Sequence, residues 1–200
     1  MLDFKLGFLN TENLDSSALD CAFKKMSDER KKETLALVSE SKRNQKIAAD
    51  MLCRQMLAEA KGIDNENISF NKSSTGKPFA ENSNFKFSIS HCGNLVVCAV
   101  SEKEIGVDVE KIRDIRLKAA EKFASKTELE YIGNSLERFF EIWTLKEAFF
   151  KCKGTGLGAD IKDISFQIDD SHSITCSESG YKLCFDNSFS GHICSVCIKE

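Results

Sequence analysis

The sequence predicts an α+β protein with two similar halves, residues 1–103 and 104–200, each with helices packed on an antiparallel β-meander. Three observations lead to this prediction. Apolar residues make up 42% of the chain, enough for a packed core and too many for a disordered protein. Helical and strand-like apolar patterns follow one another twice along the chain. Residues 93–100 and 191–198 share a faint pattern, which indicates a weak internal repeat.

The elements follow from apolar periodicity and from the residues that start or stop them. In 41–61, apolar side chains recur at helical spacing, and Gly62 ends the helix. Ser135 is expected to cap a long helix that stops at Gly154. Strands are expected at 2–9, 67–71, 85–90, 95–101, 105–110, 163–168, 173–178, 180–186 and 192–198, and helices at 15–26, 28–37, 41–61, 114–124, 127–133 and 135–152.

Charge and hydropathy narrow the classes of function. The chain carries 28 Lys and Arg against 31 Asp and Glu, a balance that disfavours general nucleic-acid binding. Its longest apolar run, residues 95–100, is much shorter than the about 20 residues that cross a bilayer. The first residues alternate and do not follow a secretory pattern. We therefore expect a cytoplasmic protein that binds neither nucleic acid nor membrane.

Nine cysteines are the least ordinary feature of the composition. An odd number of cysteines in a chain of this length, without a secretory pattern, fits reduced thiols in a cytosol. Cys194 and Cys197 form a CxxC near His192. A zinc site would require a second paired cluster, and a redox CxxC would be expected at a helix start. Core cysteines are the favoured interpretation, with a metal or redox role as the alternative.

Two carboxylates follow each other at strand spacing in the segment 105–110. Asp108 and Glu110 share one face of the predicted strand and lie about 6.5 Å apart at roughly 3.3 Å per residue. Gly106 is expected to leave that face open. Oxygen ligands at this spacing suit a hard cation such as Mg²⁺. The alternative is a strand with a solvated polar face.

Charged side chains interrupt an aromatic stripe on the predicted helix 135–152. By helical geometry Lys146 and Glu147 fall beside Trp143 within the stripe, which is expected to face the interior. Burying these charges is costly unless each has a partner. A buried carboxylate beside a cation suits metal or phosphate chemistry. The alternative is a Glu147–Lys151 ion pair on the helix surface.

Two further segments have polar groups that can approach an anion. Gly76, Lys77 and Pro78 combine an accessible backbone amide, a point charge and a fixed turn, although a plain turn has the same composition. Ser90 and His91 are expected to emerge at the tip of the strand 85–90. The structural alternatives are a plain turn for the first segment and a histidine without a ligand-binding role for the second.

The order of these motifs resembles the 4′-phosphopantetheinyl transferase superfamily, specifically its single-chain, two-half, surfactin-synthetase-activating type. The resemblance covers about residues 75–157. It rests on Gly76-Lys77-Pro78, Ser90-His91, Gly106-Val107-Asp108-Val109-Glu110, Trp143-Thr144-x-Lys146-Glu147-Ala148-x-x-Lys151 and Gly154-x-Gly156-Leu157. It implies a pseudo-dimeric fold in which the first half binds coenzyme A and the second holds the metal site and the catalytic helix.

The resemblance also implies the chemistry: transfer of 4′-phosphopantetheine from coenzyme A to a serine of an apo acyl or peptidyl carrier protein, with release of 3′,5′-ADP. Asp108, Glu147 and Lys146 would be catalytic, with Glu147 as the base, directly or through water. The implied Mg²⁺ ligands are Asp108, Glu110 and Glu147. The implied coenzyme A contacts are Lys146 and Lys151 at the pyrophosphate, Ser90, His91 and Arg43 at the 3′-phosphoadenosine end, and Gly76, Lys77 and Pro78 beside the adenine.

Residues 24–46 and 111–126 form two basic stretches. They are interpreted as solvated helix faces, or as surfaces that attract an anionic ligand or an acidic protein. We expect the carrier protein to dock on 111–126. Two fused halves would suffice as a monomer. Two other functions stay open: a non-catalytic module that binds coenzyme A or a carrier protein, and a magnesium-dependent enzyme that acts on another nucleotide.

Overall fold

The computed structural model describes residues 3–62, 64, 68–81 and 83–200, except the side chain of residue 159. The chain divides into two compact units, Met1–Glu102 and Lys103–Glu200. The helices are α1 (Ser16–Lys25), α2 (Asp28–Leu35), α3 (Glu40–Lys61), α4 (Lys126–Ile132) and α5 (Leu136–Lys153). The strands are β1 (Lys5–Asn10), β2 (Phe70–Lys72), β3 (Pro78–Ala80), β4 (Lys86–Cys92), β5 (Leu95–Ser101), β6 (Ile105–Lys111), β7 (Phe166–Ile168), β8 (Ile174–Cys176), β9 (Tyr181–Asp186) and β10 (His192–Lys199).

Each unit contains a three-stranded antiparallel sheet, with the order β1-β5-β4 in the first and β6-β10-β9 in the second. The prediction of α+β halves with antiparallel sheets is confirmed, but the prediction of a simple meander is wrong. In both units the first strand pairs with the last one. The physical reason lies in β5 and β10, which are apolar and buried on both faces and therefore occupy the centre of a sheet.

The predicted helix ends are confirmed where capping residues define them. Asp15 and Ser135 cap α1 and α5 by accepting hydrogen bonds from the backbone amides of Ala18 and Arg138. Gly62 and Gly154 end α3 and α5 with φ of 67° and 76°, a backbone conformation that favours glycine.

Other boundaries differ from the prediction. The predicted helix 114–124 is a short 3₁₀ helix, Leu117–Lys122. The predicted turn 73–78 ends in β3, which the sequence analysis missed because Pro78 begins the strand. β1 begins at Lys5 and β2 at Phe70; residues 2 and 67 of the predicted strands lie outside the described residues.

All nine cysteines are free thiols, and five of them are buried. Cys194 and Cys197 lie three positions apart on β10, so their side chains point to opposite faces of the sheet. They therefore cannot share a metal ion or join in a disulfide. The core interpretation of this CxxC is confirmed. Among the described helices, none has the length and apolar character needed to cross a bilayer.

Helix α5 packs very closely on β6 in the second unit. A Cβ atom added to Gly106 would lie 1.9 Å from the carbonyl oxygen of Ala148 and 2.4 Å from the amide nitrogen of Cys152. In the first unit, a Cβ added to Gly7 of β1 would lie 2.5 Å from the sulfur of Met56 on α3. An added Cβ would therefore collide with backbone atoms at Gly106, but with a flexible side chain at Gly7.

This difference predicts unequal effects of two matched substitutions. Gly106→Ala is expected to lower the free energy of unfolding by about 3 kcal/mol, because two backbones must separate. Gly7→Ala is expected to cost about 1 kcal/mol or less, because Met56 can change its rotamer. Urea denaturation followed by circular dichroism measures both values. Equal losses for the two variants would contradict the assigned role of the α5 backbone.

Candidate functional site

The close approach at Gly106 determines what surrounds the two strand carboxylates. The expectation that Gly106 leaves this face open is wrong, because the backbone of α5 covers it. Asp108 and Glu110 follow on the same face of β6, and α5 packs along this strand. The part of α5 beside them carries Glu147 and Lys151. A glycine at position 106 thus allows a helix to lie directly against a strand that carries carboxylates.

Lys151 reaches from α5 to β6. Its Nζ donates a hydrogen bond of 2.6 Å to Oδ1 of Asp108 and another of 3.2 Å to the carbonyl oxygen of Val107. The Asp108 side chain is 7% exposed and that of Lys151 31% exposed. The ion pair therefore joins a buried carboxylate to an ammonium group that solvent reaches.

Glu147 is half-buried beside this ion pair. Burial raises the pKa of its carboxyl, the negative charges of Asp108 and Glu110 raise it further, and the positive charge of Lys151 lowers it. Three charged side chains, Asp108, Glu110 and Lys151, therefore act on Glu147 within the second unit. The predicted grouping of Asp108, Glu110, Glu147 and Lys151 describes a real neighbourhood of the fold.

Arg113 is a member of this neighbourhood that the sequence analysis did not single out. Its guanidinium donates a hydrogen bond of 2.7 Å to Oε2 of Glu110 and lies 4.9 Å above the ring of Phe140. Arg113 follows Glu110 by three positions, and this spacing could have indicated the ion pair. The sequence analysis included Arg113 only in the basic stretch 111–126. Each strand carboxylate thus has a cationic partner.

The three carboxylates of this neighbourhood are the candidate metal ligands. Within the described ranges, no group of three His, Cys, Asp or Glu side chains has an arrangement that could hold a metal ion as it stands. Instead, Lys151 bonds to Asp108, and Arg113 bonds to Glu110. The donor set nevertheless matches a hard cation in chemistry, since three carboxylates lie near one another and raise the pKa of one member.

Lys146 lies elsewhere than the resemblance implied. Its side chain is fully buried, and its ammonium pairs at 2.9 Å with Oε2 of Glu128, a buried residue of α4. Burial lowers the pKa of Lys146, and the charge of Glu128 opposes that shift. The structure therefore places Lys146 in the core, and we assign it no contact with a ligand. Nothing in the local sequence pattern identifies Glu128 as its partner.

The remaining predicted residues belong to the first unit. Gly76, with φ of 85°, closes a turn in which its amide donates to the carbonyl oxygen of Ser73, and Pro78 follows as the start of β3. The strand β4 continues through Ser90 and His91 to Cys92 rather than ending at Ser90. Consequently the buried Ser90 and the exposed His91 point to opposite faces of the sheet.

Arg43 has a structural task in the turn between α2 and α3. Its guanidinium donates hydrogen bonds of 2.7 and 3.1 Å to the carbonyl oxygens of Leu37 and Val38. Nearby, Lys46 and Lys72 both pair with the carboxylate of Glu33, whose pKa these bonds lower to about 2. Lys46 and Lys72 are therefore paired with a carboxylate, whereas Arg43 bonds to backbone carbonyls.

Two family models match the chain. The 4′-phosphopantetheinyl transferase superfamily matches residues 104–197, and the N-terminal model of 4′-phosphopantetheinyl transferases matches residues 14–103. The boundary between the matches falls close to the boundary between the two units.

Individual relatives agree with the family models. The 4′-phosphopantetheinyl transferase gsp of Aneurinibacillus migulanus is 32% identical over 182 residues, which cover 86% of this chain and 76% of the relative. The 4′-phosphopantetheinyl transferase Sfp of Bacillus subtilis is 28% identical over 164 residues, 74% of this chain and 73% of the relative.

A solved structure of Helicobacter pylori holo-[acyl-carrier-protein] synthase in complex with coenzyme A matches with a TM-score of 0.41 and 18% identity, over 48% of this chain and 99% of that chain. A likeness at this level does not enter the assignment, which rests on the family models and the relatives. The chain belongs to the 4′-phosphopantetheinyl transferase superfamily and to its single-chain, two-half, surfactin-synthetase-activating type.

Proposed function

We propose that this enzyme transfers the 4′-phosphopantetheine group of coenzyme A to a serine of an acyl or peptidyl carrier protein and releases 3′,5′-ADP. The observation that carries the proposal is the neighbourhood of Asp108, Glu110, Glu147 and Lys151 at the contact of β6 with α5. Relatives with 4′-phosphopantetheinyl transferase activity in their names support the reaction class.

Mg²⁺ is the metal that we propose for this site, with Asp108, Glu110 and Glu147 as the residues that would hold it. The fit rests on three oxygen donors with an excess of negative charge, which a divalent cation would offset. When bound, the ion would supply positive charge to the pyrophosphate of coenzyme A as the bond to the leaving group breaks.

Lys151 is the proposed protein contact for the pyrophosphate. Its side chain is partly exposed, so its ammonium can move from Asp108 to a phosphate oxygen without unfolding of α5. For the first unit we propose Gly76, Lys77 and Pro78 beside the adenine and Ser90 and His91 at the 3′-phosphate end. We keep Arg43 as a candidate there, with its neighbours Lys42 and Lys46 as the alternatives.

Glu147 is the proposed general base, directly or through one water. In the reaction the carrier serine oxygen forms a bond to the phosphorus that bears pantetheine, and the bond from that phosphorus to 3′,5′-ADP breaks. The serine proton goes to the Glu147 carboxylate. Burial and the neighbouring carboxylates raise the pKa of Glu147, which makes the carboxylate a better proton acceptor.

The carrier is proposed to dock on the stretch 111–126. Six cationic side chains of this stretch are exposed: Lys111, Arg113, Arg116, Lys118, Lys122 and Lys126. Only two exposed acids, Asp114 and Glu121, lie among them. Such a surface attracts an acidic helix of a carrier protein and accelerates its association.

We further propose that the enzyme works in the cytoplasm as a monomer. Nine free thiols persist in a reducing compartment, and both halves of the fold are present in one chain.

Mass spectrometry of apo carrier proteins incubated with coenzyme A and Mg²⁺ tests the reaction. A modified carrier is expected to gain about 340 Da on its serine. Chelation of Mg²⁺ should abolish the gain, and Asp108→Asn should reduce it to background. Asp170→Asn, which changes an exposed acid of the second unit outside the proposed docking surface, should leave it intact. Binding of coenzyme A without a mass gain on any fatty-acid, polyketide or peptide carrier would instead indicate a non-catalytic binding module.

Glu147→Gln tests the proposed base. We expect kcat to fall by about 100-fold or more, because the amide cannot accept the serine proton, while the Kd for coenzyme A changes by about threefold or less. Steady-state kinetics and calorimetric titration measure the two quantities. Glu137→Gln, an exposed position on the same helix, serves as the control. A kcat within about threefold of the wild type would exclude Glu147 as the base.

Arg116→Glu combined with Lys118→Glu tests the docking surface. The KM for the carrier is expected to rise by about tenfold at low salt, with the KM for coenzyme A unchanged, because the reversed charges repel an acidic partner. The double variant Lys24→Glu and Lys32→Glu reverses two exposed cations of the first unit and should not change the KM for the carrier. Equal effects of the two double variants would rule out a specific docking role.

A further inference from the structure

The buried ion pair between Glu128 and Lys146 joins α4 to α5 and also contacts other segments of the second unit. The two side chains are 0% exposed and meet at 2.9 Å. Glu128 lies in the first turn of α4, and Lys146 lies in α5, directly before Glu147. Whatever fixes Lys146 therefore also fixes the helical position that presents Glu147.

Besides pairing with Lys146, Glu128 accepts hydrogen bonds from two backbone amides. Its Oε2 accepts a hydrogen bond of 2.7 Å from the amide of Ser125, and Ser125 in turn caps the amide of Glu128, which makes a capping box. Its Oε1 accepts a bond of 2.9 Å from the amide of Phe166, the first residue of β7. This one carboxylate thus joins the start of α4 to the start of β7.

Lys146 bonds to the chain that follows the glycine-rich loop 154–158. Its ammonium donates hydrogen bonds to the carbonyl oxygens of Ile161, at 3.0 Å, and of Ile164. Gly154 and Gly156 have positive φ, so the chain turns back immediately after α5 and brings these carbonyls to Lys146. The ion pair therefore fixes both ends of the turn: α5 before it and residues 161–166 after it.

Stability alone does not account for such a pair. Well-packed apolar side chains commonly replace a buried ion pair at no loss of stability, whereas the removal of one partner leaves an unpaired charge in the core. What apolar side chains cannot supply is the set of directed bonds to Ser125, Phe166, Ile161 and Ile164. These bonds specify one arrangement of the segments.

We propose that Glu128 and Lys146 are positioning residues, which hold α5 and the glycine-rich loop 154–158 in the one relative arrangement that presents Glu147 and Lys151 for transfer. The proposal rests on the proposed function only for its kinetic consequence. Its structural consequence, the order of residues 158–166, is independent of any activity.

Glu141 provides a matched control. It is also a buried glutamate that joins α4 to α5, because its Oε2 accepts a hydrogen bond of 2.6 Å from the hydroxyl of Tyr131. This contact lies near the start of α5 and involves no residue beyond the glycine-rich loop. Glu128→Gln and Glu141→Gln therefore make the same chemical change at two α4–α5 contacts, of which only one reaches residues 161–166.

The experiment compares hydrogen exchange and transfer kinetics of the two variants. In Glu128→Gln, we expect backbone amides of peptides within 158–168 to exchange at least about tenfold faster than in the wild type. We also expect kcat to fall by at least about tenfold, while the KM for coenzyme A stays within about threefold of the wild-type value. In Glu141→Gln, we expect exchange in 158–168 and kcat within about twofold of the wild type. The double variant Glu128→Gln with Lys146→Met, which buries no unpaired charge, should recover the Tm but not kcat.

Three results would overturn the proposal: unchanged exchange in 158–168 of Glu128→Gln, an equal loss of kcat in Glu141→Gln, or full recovery of kcat in the double variant. If Glu128→Gln does not fold, the double variant provides the same exchange comparison. If the wild-type chain shows no transfer to any carrier, the proposed function fails, and the exchange measurement still decides whether the pair positions the loop.

Discussion

The contact of α5 with β6 at Gly106 is the constraint on which the arrangement of the second unit depends. The strand approaches the helix so closely that a single methyl group would collide with backbone atoms of Ala148 and Cys152. Because a helix repeats every 3.6 residues, the turn that touches Gly106 also determines which α5 side chains lie beside the next strand positions. These are Glu147 and Lys151, and the strand positions beside them include Asp108. A packing requirement thus assembles a set of charges.

The first unit has the same internal plan without the charges. Gly7, Cys53 and Cys98 occupy the places of Gly106, Cys152 and Cys197, and the three pairs keep one constant separation along the chain. In both units, the thiol on the long helix lies beside the thiol on the central strand. At the same separation, the counterparts of Asp108, Glu147 and Lys151 are Leu9, Ala48 and Leu52. The repeat therefore supplies a scaffold twice, and at these three positions the second copy has charged side chains where the first has apolar ones.

Features that depend on neighbours in sequence could be predicted. The caps Ser135 and Gly154 and the strand alternation that places Asp108 and Glu110 on one face depend on residues within a few positions. Features that depend on partners far away in the sequence could not be predicted. Helical spacing correctly places Lys146 in a stripe that faces the interior, but it gives no means of finding Glu128, eighteen residues before Lys146, as the partner of that lysine.

The pairing of β1 with β5 was missed for a similar reason, since periodicity specifies which face of a strand is buried and not which strand lies beside it. The role of Gly106 was missed as well. A glycine between carboxylate-bearing strand positions is compatible with an open face or with the close approach of another backbone, and only the path of α5 distinguishes them.

The two lysines of α5 show how burial separates a structural charge from an exchangeable one. Lys146 and Glu128 are both 0% exposed, and the loss of either would leave the other as an unpaired charge in the core, so this pair must persist throughout any reaction. Lys151 is 31% exposed, so solvent and dissolved anions reach its ammonium even while it pairs with the buried Asp108. A phosphate group can therefore compete for Lys151, as it cannot for Lys146. The same helix thus provides one cation that is confined to the core and another that solvent reaches.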